Sequence, residues 1–300
     1  MLFTSPILAL SALVAIATAS PRICQTHASK TTNSSTIKCP IVLDGRVPAN
    51  ASLTSFDTAN GLFNPDYVKG NNLSWSDILL FPTVATNSRF DSADAAQYKP
   101  IEVNINNASV YQAQYGFRRA GLLFANDSNT GSLGYTGVKT LHWSVQQDPQ
   151  RALNLSHEYL NVWHESADYS ADQIMFQAGS ILAQPGLARD TFKVFDRNSS
   201  LLWSVAMDLE GGWQNFAVTL DVTANTIQIY YSTGTDPLQA VTDVIPTDLS
   251  GDGQFQIGMI KKPTGTSDVV NAGYQEAPFE EGQIYGGLFV EDSAGGCISL

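Results

Sequence analysis

The chain has 300 residues, 43% of them hydrophobic and only 15% charged, with a formal net charge of −12. That length supports one domain with a sizeable core. Sparse, acid-weighted charge without basic stripes excludes nucleic acid as an expected partner and disfavours a strongly anionic substrate, while suiting a protein that handles a neutral polymer.

Residues 1–19 read as a secretory signal peptide. An apolar run from Ile7 to Ile16 is followed by the small-residue site Ala17-Thr18-Ala19, and the run is too short to cross a bilayer of roughly 30 Å. No other long apolar run occurs, so no membrane association is expected, and the mature protein is expected to be secreted, extracellular and monomeric. Residues 20–38 are polar and predict a disordered tail. From 39 to 300 nothing reads as a linker or repeat, so this stretch is expected to be a single domain. Asn-X-Ser sequons at Asn33, Asn50, Asn72, Asn107, Asn126, Asn154 and Asn198 agree with export and mark expected surface glycosylation. Cys39 and Cys297 stand at the two ends of the domain, and a bridge between them would tie those ends together. Cys24 is left over in the tail, although its pairing with Cys39 stays open.

Between those cysteines the texture is β. Alternating runs recur at 100–105, 139–145, 158–163, 173–179, 215–222, 226–232, 254–260 and 284–290, punctuated by Gly, Asn, Asp and Pro. Many strands without a long amphipathic helix predict an all-β fold: a jelly roll, or two-sheet antiparallel β-sandwich, with a concave binding groove.

Residues 138–165 concentrate the polar chemistry. His142, His157 and His164 fall here with Glu158, Glu165, Tyr159, Trp143 and Trp163. Alternation puts Leu141, Trp143 and Val145 on one face and His142 on the other. In the next run it buries Leu160 and Val162 and sets His157, Tyr159, Asn161, Trp163 and Glu165 on the opposite face. Aromatics and polar groups in one row predict the floor of a sugar-binding groove beside His142. Glu158 shares the parity of Leu160, and a bulge near its strand end would turn it into the groove. Of the adjacent Arg118 and Arg119, one is expected to reach into the groove, and Arg118 is carried as the binding candidate. His157 and His164 are seven residues apart on a strand, which gives no metal site. Asp248 and Asp252 do not complete a calcium loop. Neither a metal nor a cofactor is expected, and no serine-hydrolase or nucleotide motif occurs.

Segments CPIVLDGRVP (39–48), LSWSDILLFP (73–82), YGFRRAGLLF (115–124), GVKTLHWSVQQDP (137–149), LNLSHEYLNVWHE (153–165) and IYGGLFVEDSAGGCISL (284–300) together resemble glycoside hydrolase family 131, secreted fungal β-glucanases. The resemblance spans 39–300. It implies a β-jelly-roll catalytic domain acting on β-1,3-, β-1,6- or β-1,4-linked glucan, and two glutamates flanking a cleft. One of these maps to Glu158. The other falls near the Phe-Arg-Arg strand, where this chain has Gly121, so Glu102 stands as the nearest acidic candidate. One carboxylic acid would protonate the leaving oxygen, and the second carboxylate would attack the sugar or activate water. Two other readings are a jelly-roll polysaccharide lyase using Tyr159, His142 and Arg118, and a glucan-binding protein without catalysis.

Overall fold

Alternating residues resolve into strands because each β residue points opposite its neighbours, and one face of each strand must be buried. The computed structural model describes residues 36–92 and 97–300. Residues 1–19, Cys24, Asn33 and the polar tail up to residue 35 lie outside the described residues. In chain order the strands are β1 (Ile41–Asp44), β2 (Val47–Pro48), β3 (Leu79–Leu80), β4 (Tyr98–Lys99), β5 (Ile101–Asn106), β6 (Arg118–Leu122), β7 (Val138–Gln147), β8 (Glu158–Glu165) and β9 (Asp172–Gly179). They continue as β10 (Thr191–Asp196), β11 (Leu201–Ala206), β12 (Gln214–Asp221), β13 (Thr226–Thr233), β14 (Gln239–Ala240), β15 (Ile245–Pro246), β16 (Gln254–Lys261) and β17 (Glu280–Asp292). Two single-turn helices, α1 (Trp75–Ile78) and α2 (Arg89–Ser92), lie in the connections.

The larger sheet has the order β14-β13-β12-β7-β17-β5-β3, with β1 on β17 and β15 on β13; the smaller has the order β11-β10-β9-β8-β16-β6. All named pairings in both sheets are antiparallel, so the architecture is the expected jelly-roll sandwich. Val103, Trp143 and Tyr285 of the larger sheet share one core with Ala120, Val162 and Phe176 of the smaller. Trp143 stacks on Phe216 within its own sheet at 5.5 Å and meets the edge of Phe176 across the core at 5.2 Å. Each sheet therefore has an inner face in this core and an outer face away from it.

Cys39 and Cys297 are joined by a disulfide across 258 positions of sequence. Beside it, on the outer face of the larger sheet, His142 Nε2 meets Glu291 Oε1 at 2.9 Å, and the other oxygen of Glu291 accepts the Ser299 hydroxyl at 2.7 Å. Phe289 stacks on the His142 ring and Phe90 of α2 closes on its edge. Burial holds the imidazole below its ordinary pKa, against the pull of Glu291. His142 is thus a fully buried structural group, not a groove residue, and it lies across the core from the outer face of the smaller sheet.

Strict alternation fails on β8. Its register against β9 shifts between Leu160 and Val162, and β16 shifts against it between Ile257 and Ile260. The bulge puts both Asn161 and Val162 on the core side and reverses the parity beyond them. Tyr159 and Asn161, expected on a groove floor, are instead interior. The Tyr159 hydroxyl donates to Glu281 Oε2 at 2.8 Å, and the Asn161 carbonyl accepts from Tyr285 at 2.9 Å. His157 is buried just before β8, bound through Nδ1 to the Lys262 carbonyl at 2.7 Å and through Nε2 to Glu276 at 3.2 Å. Among the expected glycan acceptors, Asn50, Asn72, Asn107, Asn126 and Asn198 are exposed. Asn154 departs from them: it is half-buried and its side-chain amide donates to Glu276.

Candidate active site

The outer face of the smaller sheet carries an open concavity, of about 340 Å³, at its β6 end. Its floor comes from strands. Arg119 follows Arg118 on β6, and because Ala120 and Leu122 fill the core, Arg119 points outward. Beyond the bulge, Trp163 and Glu165 on β8 take the same outward face. Asp172 opens β9 as the cross-strand partner of Glu165, beside the pocket rather than in its lining. Its rim comes from loops: Tyr67 and Val68 on one side, Tyr111 and Gln114 on another, and Tyr169 from the β8–β9 turn. Tyr169 is 59% exposed and has φ of 60°, and Gln112 at the same rim has φ of 50°. Both stand in the left-handed region that side chains other than glycine rarely adopt, a strain that gathers at functional sites.

Charge is graded across this pocket. The Arg119 guanidinium donates to Gln114 Oε1 at 3.1 Å and sits 5.9 Å from the Tyr111 ring. Glu165 accepts from the Gln256 amide. Burial raises the Glu165 carboxyl, and Arg119 and Gln256 oppose that rise by favouring its charged form. Asp172 fares differently. Burial and then the Glu165 charge push it up to about 7, with Lys262 and Arg119 only partly opposing. Both carboxyls are therefore raised by burial, and Glu165 has Arg119 and Gln256 on its side where Asp172 has the Glu165 charge against it. Burial and the hydrogen bond to the Tyr169 hydroxyl raise Tyr67, so that phenol stays neutral.

The two expected catalytic glutamates are elsewhere. Glu102 lies on the outer face of the larger sheet, fully buried, and receives two 2.8 Å bonds from Arg151. Glu158 lies on the outer face of the smaller sheet, so the core separates them and they cannot flank one glycosidic bond. Glu158 is itself enclosed: Lys262 stands 2.5 Å from one oxygen and the Leu182 backbone N–H donates to the other at 2.7 Å. Arg118 also leaves the groove, because its guanidinium holds the Tyr115 and Phe117 carbonyls at 2.8 Å. Trp163 faces outward but is 1% exposed, packed in an apolar cluster. Gly121 sits under it, where an added Cβ would come 3.3 Å from the indole and 2.9 Å from Gln256.

Glu165 is the one expected binding residue that reaches the pocket. Sequence reasoning missed Asp172, which pairing the two strands of the Glu165–Asp172 hairpin would have found. Tyr67 and Tyr111 come from connections far apart in sequence, and only the fold brings them together.

An antiparallel jelly-roll sandwich with paired carboxylates among tyrosines belongs to the class of carbohydrate-active proteins. The sequence profile described as "Glycoside hydrolase 131 catalytic N-terminal domain" matches residues 41–296, and the chain belongs to this glycoside hydrolase family. Its fold is similar to that of a GH131 beta-glucanase catalytic domain from Podospora anserina, with a TM-score of 0.65 at 19% identity over 84% of this chain and 96% of that one. It is likewise similar to the catalytic domain of the glycoside hydrolase family 131 protein from Coprinopsis cinerea, with a TM-score of 0.63 at 19% identity over 85% and 95%. Among curated proteins none matches the chain.

Proposed function

We propose that this protein hydrolyses β-linked glucan in the tyrosine-rimmed pocket, with Asp172 as general acid and Glu165 as the charged partner. The observation that supports this most directly is the cross-strand pairing of two carboxyls that burial raises together, Asp172 to about 7 and Glu165 against the pull of Arg119 and Gln256. Asp172 gives its proton to the glycosidic oxygen as the bond from that oxygen to the anomeric carbon breaks. Water supplies the hydroxyl that finally takes its place. As the charged partner, Glu165 either attacks the anomeric carbon or takes a proton from the attacking water. Tyr67, Tyr111 and Tyr169 offer ring faces and hydroxyls to neutral sugar, and a pocket of this size holds one or two rings. Action outside the cell is part of the same reading, in keeping with the disulfide.

The test is hydrolysis of β-1,3-, β-1,6- and β-1,4-glucans by the wild type and by Glu165→Gln and Asp172→Asn. Each variant should lose more than about 100-fold in rate while still binding oligosaccharide, the scale of removing an acid–base group. Normal rates in both variants would overturn the assignment of the pair. Binding by a wild type that releases no reducing sugar would make this a glucan-binding protein instead.

A further inference from the structure

Strand β1 has one paired side and one open side. It pairs with β17, and among the described residues no strand pairs with its other side. An unpaired strand edge leaves a row of backbone N–H and C=O groups without strand partners. All four residues of β1 line a concavity of about 380 Å³, together with Leu62, Phe124 and Asn126.

Two hydrogen-bonded segments build the wall beyond β1. The Asn64 N–H donates to the Leu123 carbonyl at 2.8 Å, and the Ala125 N–H donates to the Leu62 carbonyl at 3.0 Å. Between them Phe63 pairs with Phe124, their rings 5.7 Å apart. Gly45, just after β1, comes so close that an added Cβ would stand 2.7 Å from the Phe124 ring. The Asp127 N–H donates to the Phe124 carbonyl at 3.2 Å, a turn that holds Asn126 near its tip. Asn126 is exposed and opens the sequon Asn126-Asp127-Ser128. An acceptor for N-linked sugar thus lines a concavity that has an open strand edge along one side.

We propose that Asn126 carries an N-linked glycan whose first N-acetylglucosamine lies in this concavity and covers the open edge of β1. The sugar is bonded to a lining residue, so it needs no affinity of its own to be there. In the transfer, the Asn126 amide nitrogen bonds to the anomeric carbon of a lipid diphosphate-linked oligosaccharide. The bond from that carbon to the diphosphate oxygen breaks, the lipid diphosphate leaves, and the amide gives up one proton. The acetamido arm of the attached sugar carries one N–H and one carbonyl, the groups that a neighbouring strand would offer β1. A pocket of this size takes one such ring, and Leu62 and Phe124 supply apolar contact. An edge covered in this way is closed to pairing with another chain. The inference rests on export through a secretory pathway and not on the hydrolytic site.

The test uses the whole chain, residues 1–19 included, secreted from a eukaryotic host. Enzymatic release of glycans in heavy-oxygen water marks each asparagine that carried one, and Asn126 should be marked. Native wild type is then compared in two forms, one trimmed to a single N-acetylglucosamine at each site and one stripped of all sugar. Amide hydrogen exchange over residues 40–45, read by mass spectrometry, should be several-fold slower in the single-sugar form. Ser128→Ala keeps Asn126 but removes its sequon, and its two forms should exchange alike, at the rate of stripped wild type. An unmarked Asn126 beside other marked sites overturns the inference and leaves export standing. No marked site at all overturns both. Equal exchange over 40–45 in the two wild-type forms, with Asn126 marked, overturns the seating of the sugar and needs no variant to fold.

Discussion

At the scale of single residues, the proposed chemistry turns on Asp172. A carboxyl whose folded pKa is about 7 binds more protons in the folded chain than in the unfolded one between roughly pH 4 and 7, so it favours folding fully only below that window. Its contribution is lost as pH rises through about 7. Asp172→Asn should therefore raise Tm more at pH 8 than at pH 5, measured by calorimetry at both. The same ionisation should set the alkaline limb of the hydrolysis rate, which should fall as pH rises through about 7. A rate profile flat across that range would remove Asp172 as the acid. Glu165 was legible as a site residue from its place among aromatics. Asp172 was not, because a residue that opens a strand has no neighbour in sequence to reveal what it faces.

Among the elements, β8 decides most. With a single bulge between Leu160 and Val162, Tyr159 and Asn161 lie in the core and Trp163 lies on the outer face, in the apolar cluster of Leu160, Met175 and Ile260. Trp163→Ala should then act on stability, with a loss of about 3–5 kcal/mol in denaturant titration, the scale of deleting a packed tryptophan. Weakened sugar binding at unchanged stability would contradict this placement. On the other sheet, Glu291 joins β17 to His142 and to both the backbone N–H and hydroxyl of Ser299. Glu291→Ala strands these buried donors, and should cost about 2–3 kcal/mol. Limited proteolysis should then release the segment after Cys297 sooner than in wild type. Strand periodicity foretold both elements but not their chemistry, since a one-residue slip exchanges every face beyond it.

For the whole molecule, the Cys39–Cys297 bridge closes nearly the entire sandwich. In the chain-entropy account, a loop of that length contributes roughly 3–5 kcal/mol by restricting the unfolded chain. Cys39→Ser with Cys297→Ser should show that loss in denaturant titration, whereas an unchanged midpoint would mean that the sheets alone hold the ends. The bridge was foreseeable because the two cysteines stand where the strand texture starts and stops.

The sequence by itself determined the class of fold and the family, and it pointed to the pairing of the chain ends while leaving Cys24 as a rival partner for Cys39. Strand alternation, turn residues and motif order are local properties, and they survive without knowledge of any contact. Tertiary structure decided the site. Glu102 and Glu158 looked like a pair until the two sheets set them on opposite outer faces, and His142 looked like a groove residue until Phe90, Phe289 and Glu291 enclosed it. Tyr67, Tyr111, Arg119 and Glu165 meet because β6, β8 and the loops above them converge, and β9 sets Asp172 across from Glu165. A pocket is made of long-range neighbours, and no period within one strand records them.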